Sequence, residues 1–402
     1  DFGDHPPPEQ KYSRIGIQPE AMEVIYLDNA ATTRPDPAAT EKARAFLEDD
    51  FYNPSALYRE GFAVHKQLES ARRAVLNCLA PGGGYDLVFT ASGSEADNQV
   101  LFSAGQRGNV VISGGEHAAV YNAARELERR GVQLRIAKLR PDGGADAEDL
   151  LSLVDGQTSL VSVIHVNNET GAVNDVLSLA RAVKKINART LFHSDGVQAF
   201  GKIPFSLGAP IDFYTISSHK IGGVRGVAGL AFRKGAPLHP LIFGGGQENG
   251  LRSGTENMFA VMHFQAVCEA AAERLAENMR RVRSLNALVR ERLDRGLFTV
   301  LSAEDASPYI LSVSAPGLRG EVLMHMADDA GLIVGTGSAC SSKSKASRVI
   351  LACGAPDAVA EGVLRISFSA KSTEEEAARA AEILNRCGKE LAERMHSSSC
   401  KK

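Results

Sequence analysis

Residues 160–195 read LVSVIHVNNETGAVNDVLSLARAVKKINARTLFHSD. An apolar run of strand length (160–166) gives way to a polar turn. A helical pattern follows at 175–186, and a second short apolar run closes the stretch at 190–195. Strand, helix and strand in this order are the unit of a parallel sheet, and the runs to either side repeat it. Upstream, DLVFT (86–90) precedes a helix opening at GSEADN (93–98), and NVVIS (109–113) precedes HAAVYNAARELERRG (117–131), with LRIAKL (134–139) next. Downstream come DFYTISS (212–218) and VAGLAFR (227–233). The expected fold is α/β: a large domain over residues 22–260 built on a mostly parallel sheet covered on both faces.

After GGGQENGLRSGTEN (244–257) the texture changes. A long helical stretch at about 260–295, rich in Ala, Glu, Arg and Leu, opens a second, smaller α/β unit assigned to residues 261–402. It continues with a strand at PYILSVSAP (308–316), a helix at GEVLMHMADDAG (320–331), a Gly/Ser/Lys loop, a strand at LRISFS (364–369) and a final helix over 373–394. Residues 1–21 lack a folded pattern and are read as a leader or linker.

Composition narrows the function classes. The 402 residues carry a formal net charge of −3 with both signs interspersed, which gives no reason to expect nucleic acid as the main partner. Six cysteines (Cys78, Cys268, Cys340, Cys353, Cys387, Cys400) lie scattered without a C-x-x-C pair, so neither a metal site nor a disulfide framework is expected and a reducing compartment is favoured. No run approaches the roughly 18 apolar residues of a membrane span. The expectation is a soluble, cytoplasmic protein.

In open α/β sheets ligands sit beyond the carboxyl ends of the strands. Polar residues following apolar runs are therefore the candidates: Ser217, His219 and Lys220 in TISSHK, Asp195 and Gln198 in LFHSDGVQ, His165, Asn167 and Asn168 in VIHVNNETG, and Gly93 and Ser94 where a turn enters a helix. Pyridoxal phosphate needs a Schiff-base lysine together with an acidic partner for its pyridinium nitrogen, and its phosphate suits a helix N-terminus. Taken singly, Asn168, Gln198 and Thr255 could as well cap loops. His165 could be a satisfied histidine at a strand end, and His117 a helix cap. Cys340 stands apart, in GTGSACSSKSK (335–345), where hardly an apolar neighbour is available to bury a structural thiol.

The motifs YLDNAATT (26–33), NPSALYREG (53–61), TASGSEADN (90–98), EHAAV (116–120), HVNNETG (165–171), DGVQAFGK (195–202), SSHK (217–220), RSGT (252–255) and GSAC (337–340) resemble, in order and spacing, those of the NifS/IscS-type cysteine desulfurases. These are class V aminotransferases on the fold-type I scaffold of pyridoxal-phosphate enzymes, with a seven-stranded-type sheet. The resemblance implies that Lys220 carries the cofactor, Asp195 keeps its pyridine nitrogen protonated, Gln198 and Asn168 contact its 3'-oxygen side, and His117 stacks on the ring and takes part in catalysis. Gly93, Ser94, Ser217 and His219 match phosphate-binding positions, and Thr255 matches one that reaches the phosphate across a homodimer interface. Arg365 matches the clamp for the substrate carboxylate, with Asn168 beside it.

By the same resemblance, Cys340 attacks the sulfur of L-cysteine, leaving alanine and a persulfide. Small residues suit a loop that carries sulfur away, and Lys343 and Lys345 favour a thiolate. The Arg-x-Gly-x-His-Cys-Ala context of the other desulfurase group is absent. The sulfur would pass to an acceptor protein such as an iron–sulfur scaffold, whose identity the short tail after the last helix leaves open. Alternatives are a selenocysteine lyase, another class V aminotransferase, or a catalytically idle scaffold subunit. Transamination would not need Cys340, and an idle subunit would not need Lys220, Asp195, His117 and Arg365 together.

Overall fold

A computed structural model describes residues 24–337 and 346–399. The readings on residues 1–21, Cys340 with its neighbours Lys343 and Lys345, and Cys400 lie outside the described residues. The strands, in chain order, are β1 (Ile25–Tyr26), β2 (Tyr85–Thr90), β3 (Asn109–Ser113), β4 (Gln133–Ala137), β5 (Thr158–Ser162), β6 (Leu191–Asp195), β7 (Phe213–Ser217), β8 (Ala228–Arg233), β9 (Thr299–Val300), β10 (Ile310–Ser314), β11 (Leu332–Ile333) and β12 (Val363–Ser367).

Seven of these form one sheet in the order β2-β8-β7-β6-β5-β3-β4. All neighbours pair in parallel except at β8, which is antiparallel to both β2 and β7. The exception has a local cause: only a short connection joins β7 to β8, too little for the crossover that parallel strands require. β3 and β7 are buried along their whole length, as strands with both faces covered must be. Alternation along β3 divides its side chains. Val110 and Ile112 join the core under helices Gly93–Ala104 and Ala118–Arg129, and Val111 joins the core under Arg59–Leu79, Val176–Ile186 and Met258–Glu273. The apolar run expected as a strand over 160–166 is regular only to Ser162. Beyond it, Val163 and His165 still donate to the carbonyls of His193 and Asp195, so the edge frays into the loop that carries Asn167 and Asn168.

The second core lies around β12-β10-β9, antiparallel, covered by helices Leu275–Arg292, Gly320–Asp329 and Glu374–Ser399. The expected long helix at 260–295 is two helices that meet at Arg274. β1 pairs in parallel with β11, and Ile25 and Leu27 belong to this second core. From there the chain runs to the main sheet through Asn29 and Ala30, whose N–H groups bond the carbonyl and the hydroxyl of Ser367. Among the described residues no helix is long and apolar enough to cross a membrane.

Candidate active site

The carboxyl ends of β3, β5, β6 and β7 converge on a cavity of about 640 Å³. Its wall begins at the helix Gly93–Ala104. Ser92 caps this helix from an extended conformation, its Oγ accepting the Glu95 N–H at 3.1 Å. The N–H groups of Gly93 and Ser94 have no intrahelical partner in the first turn, and the helix dipole makes this end attractive to an anion. Gly93 is needed here for closeness: a Cβ would sit 3.1 Å from Val197 and 3.6 Å from Thr215. Ser217 and His219 line the cavity as well, with His219 Nδ1 3.1 Å from Thr32 Oγ1. Burial and the neighbouring Lys220 hold the His219 ring down at about 4, hence neutral.

Lys220 ends a single 3-10 turn directly after β7, and its Nζ donates to the carbonyls of Ala30 (2.6 Å) and Ala31 (2.7 Å). Asp195 is the last residue of β6 and accepts the Val197 N–H at 2.9 Å. His117 caps the helix Ala118–Arg129: its Nδ1 accepts the Ala119 N–H at 3.2 Å, which assigns the ring proton to Nε2. Burial lowers the His117 pKa, although Asp195 opposes this, so the neutral ring predominates near pH 7. The capping and cavity-facing readings of His117 are therefore compatible.

Gln198 and Asn168 also line the cavity; the Gln198 Nε2 donates to the Ala30 carbonyl at 2.9 Å. Arg365 reaches the same space from β12. Its Nη1 donates to the Asn168 carbonyl (3.0 Å) and its Nη2 to Asp28 (2.8 Å), while its buried Nε has no hydrogen-bond partner among the described residues. Two candidates lie elsewhere. Thr255 is exposed and outside the cavity of its own chain, although Arg252, three residues before it, pairs with Glu95 at 3.0 Å beside the helix N-terminus. His165 packs on Phe205 and bonds Tyr214 Oη at 2.6 Å, as a satisfied core histidine does.

The cavity also holds residues that the sequence reading did not single out. Asp97 lies one turn into the helix, and its ligand atom, that of His117 and that of Asp195 lie within 4.8 Å of one another. Burial, then the charge of Asp195, raises Asp97 well above the carboxylate range. Glu116 accepts from Ser113 Oγ and from the Ile164 N–H (2.7 Å), and burial pushes it up to about 8. Burial likewise raises Glu169, which accepts from Ser347 Oγ. Arg348 lies 4.1 Å over the Tyr121 ring and donates to the carbonyls of Gly114 and Glu116. The available signal was proximity to motifs: Asp97 and Glu116 stand inside TASGSEADN and EHAAV.

The family model for aminotransferase class V matches residues 25–379. A cysteine desulfurase of Cereibacter sphaeroides is 37% identical over 377 residues, covering 90% of this chain and 95% of the relative. Another from Gluconacetobacter diazotrophicus is 34% identical over 377 residues, covering 90% and 93%. A solved NifS-like protein superposes with a TM-score of 0.84 at 33% identity, covering 90% of this chain and 98% of its own. Enzymes of this family generally depend on pyridoxal phosphate. An α/β chain with this sheet and relatives that match it nearly end to end belongs to the class V aminotransferases and, among them, to the cysteine desulfurases of the NifS/IscS type.

Proposed function

We propose that the cavity holds pyridoxal phosphate and L-cysteine, and that the enzyme transfers the substrate's sulfur to Cys340. The observation that supports this most is one arrangement. A lysine (Lys220), a buried carboxyl group (Asp195), a neutral histidine (His117) and a helix N-terminus share one cavity, with an arginine fork (Arg365) at its edge. The donor set fits the cofactor. Asp195 is buried, its pKa raised by that burial, and no hydrogen bond pairs it with a cation among the described residues, so a pyridinium N–H would stabilise its carboxylate form. The helix N-terminus with Ser94, Ser217 and neutral His219 offers donors for a phosphate. When bound, the cofactor supplies an electron sink for the substrate's α-carbon.

The chain's own residues then have distinct tasks. Lys220 would hold the cofactor covalently, and Gln198 and Asn168 would meet the oxygen side of its ring. His117 would cover the ring, with a transferable proton on Nε2. Arg365 receives the substrate carboxylate, and its orphaned Nε is a donor in need of an acceptor. The Cys340 thiolate would form an S–S bond with the substrate sulfur as the Cβ–S bond breaks; the bonding pair would leave with Cβ, which takes up a proton, so that the carbon skeleton leaves as alanine and Cys340 carries the persulfide. In this reading residues 22–260 form the cofactor-binding unit and 261–402 the unit that brings Arg365 and Cys340 to it. Thr255 reaches the phosphate of a second copy in a homodimer, and a soluble sulfur-acceptor protein, such as an iron–sulfur scaffold in the cytoplasm, takes the persulfide sulfur.

The test uses purified protein, comparing wild type with Cys340→Ser. Both should show the cofactor's visible band, and only the wild type should convert L-cysteine to alanine with sulfide released by added thiol. Sulfide from Cys340→Ser at the parent rate would overturn the role of Cys340. A colourless protein that takes up no added pyridoxal phosphate would overturn the cofactor assignment.

A further inference from the structure

Lys202 is 4% exposed, and its Nζ donates to Gln198 Oε1 at 2.8 Å. The ammonium lies 5.8 Å from the centre of the Tyr309 ring, and no carboxylate among the described residues forms an ion pair with it. Lysine almost never sits this deep unpaired, because burying its charge is costly. A methionine of similar length would fill the space at less cost, so packing alone gives no reason for an ammonium here.

The hydrogen bonds supply a reason. The two ends of a glutamine amide are opposite in kind, one donor and one acceptor. With Oε1 held by Lys202, the Nε2 end lies against the carbonyl of Ala30 at 2.9 Å, and Gln198 and Ala30 both line the cavity. Flipping the amide would set its NH2 against the Lys202 ammonium and its oxygen against the Ala30 carbonyl, two repulsive contacts in place of two hydrogen bonds. Gln198 is thus locked to present N–H, the end that an anionic oxygen needs. The Ala30 carbonyl also accepts from Lys220, which ties the lock to the neighbouring lysine.

We propose that Lys202 is a positioning residue that fixes the Gln198 amide as a hydrogen-bond donor toward the ring oxygen of the bound cofactor. This rests on the reading of the cavity as a pyridoxal-phosphate site with Gln198 on the cofactor's oxygen side. The backbone supports it: the turn that carries Gln198 and Lys202 is closed by the bonds Phe200 N–H to Gly196 O (2.8 Å) and Ile203 N–H to Ala199 O (3.1 Å), so neither residue drifts independently. Burial, with Lys220 and Arg365 nearby, pulls Lys202 down to about 7; the ammonium has no lone pair to accept from a flipped amide, and in the neutral form, which keeps an N–H for Gln198 Oε1, the Ala30 carbonyl, an acceptor only, still opposes the flip.

The experiment compares wild type, Lys202→Met, Gln198→Ala and the double variant. Three quantities are read: cofactor affinity of the apoprotein, the pH midpoint of the bound cofactor's visible band, and the apoprotein's thermal midpoint. A donor at the ring oxygen spreads its negative charge, so losing or flipping it should raise the band midpoint by roughly half to one pH unit and weaken cofactor binding about tenfold. Lys202→Met should move both, Gln198→Ala should move both, and the double variant should match Gln198→Ala. An unmoved midpoint in Lys202→Met, with a moved one in Gln198→Ala, would overturn the proposal and spare the reading of the site. An unmoved Gln198→Ala would overturn that reading of Gln198 and the proposal with it. A purely structural lysine would lower only the thermal midpoint of Lys202→Met, and additive effects in the double variant would also refute the lock. Lys202→Leu, with the same expectations, replaces the methionine variant if that fails to fold.

Discussion

Glu116→Gln is a test of the cavity's electrostatics that needs no cofactor. Glu116 is buried, and its carboxyl accepts from Ser113 Oγ and the Ile164 N–H on Oε1, with Ser162 Oγ 3.4 Å from Oε2. A glutamine can reproduce this set, its oxygen taking the two donors and its NH2 facing Ser162. What changes is the titration. Desolvation raises the folded-state pKa from 4.5 to about 8, so between those values the folded protein holds a proton that the unfolded chain has lost. An acid raised in this way costs nothing below its unfolded pKa, and its penalty grows as pH rises through the window and is complete above the folded pKa.

Integrated between pH 5.5 and 9, the penalty grows by about 3 kcal/mol in the wild type and by nothing in the variant. With roughly 2.1 cal/mol/K per residue, unfolding 402 residues carries about 0.8 kcal/mol/K, so the wild-type thermal midpoint should lose about 4 °C relative to Glu116→Gln across that range. Thermal unfolding of the apoproteins, followed by far-UV circular dichroism at the two pH values, measures the difference directly. Other buried acids such as Asp97 titrate in both proteins and largely cancel. A gap between the curves that stays constant with pH would refute the reasoning: Glu116 would then be ionised throughout and stabilised by its three donors.

Two further perturbations probe the clamp and the scaffold. Arg365→Lys keeps a charge but loses the planar fork, so kcat/KM for L-cysteine should fall about 100-fold, chiefly through KM, while the cofactor band is retained; an unchanged KM would remove Arg365 from the carboxylate site. Glu248→Gln strips the buried one of the two charges that neutralise Arg72, whose guanidinium donates to both Glu248 oxygens and, through Nε at 3.1 Å, to the less buried Glu69, while Glu248 Oε2 also takes the Phe89 N–H at 2.8 Å. Breaking such a pair costs about 3–5 kcal/mol. The apoprotein's thermal midpoint should drop by roughly 4–6 °C, and a drop below 1 °C would mean that the pair contributes little.

The parts of the site legible in the sequence are those where a polar residue interrupts an apolar run. Asp195 and Lys220 stand at the ends of β6 and β7, and Gly93 and Ser94 at a helix start, so local pattern and strand-end chemistry locate them together. The two-residue pairing of β1 with β11 was illegible, because elements that short have no periodicity, yet it brings Asp28 to Arg365. Asp97 and Glu116 were passed over for the opposite reason. In a helix and in a loop a carboxyl reads as a solvated charge, and only the packed neighbours reveal that these two are buried. Lys202 escaped in the same way, since lysine is read as surface unless its surroundings are seen.

These hidden acids bear on why the cavity suits anions. Counting formal charges, Asp97, Glu116, Asp195 and Glu169 would balance Lys220, Arg348, Arg365 and Lys202, and the site would attract neither a phosphate nor a carboxylate. Burial breaks the balance. It raises Asp97, Glu116 and Glu169, and Glu116, pushed up to about 8, is held largely as a neutral hydrogen-bonding group near pH 7. Asp195 is raised too, chiefly by burial, but the Val197 N–H and the Lys220 charge favour its ionised form, and its carboxyl lines the cavity where a pyridinium would lie. The arginines cannot follow the acids into neutrality, because a guanidinium keeps its proton even when buried. The wall therefore keeps its excess positive charge at Arg348, with Arg365 shared between Asp28 at 2.8 Å and the cavity, while Asp195 supplies an acceptor for a cation. That asymmetry is what a molecule with one cationic ring nitrogen, one phosphate and a carboxylate-bearing substrate requires, and it predicts that neutralising Asp97 by Asp97→Asn should disturb cofactor affinity far less than Asp195→Asn, although the two carboxyls are neighbours.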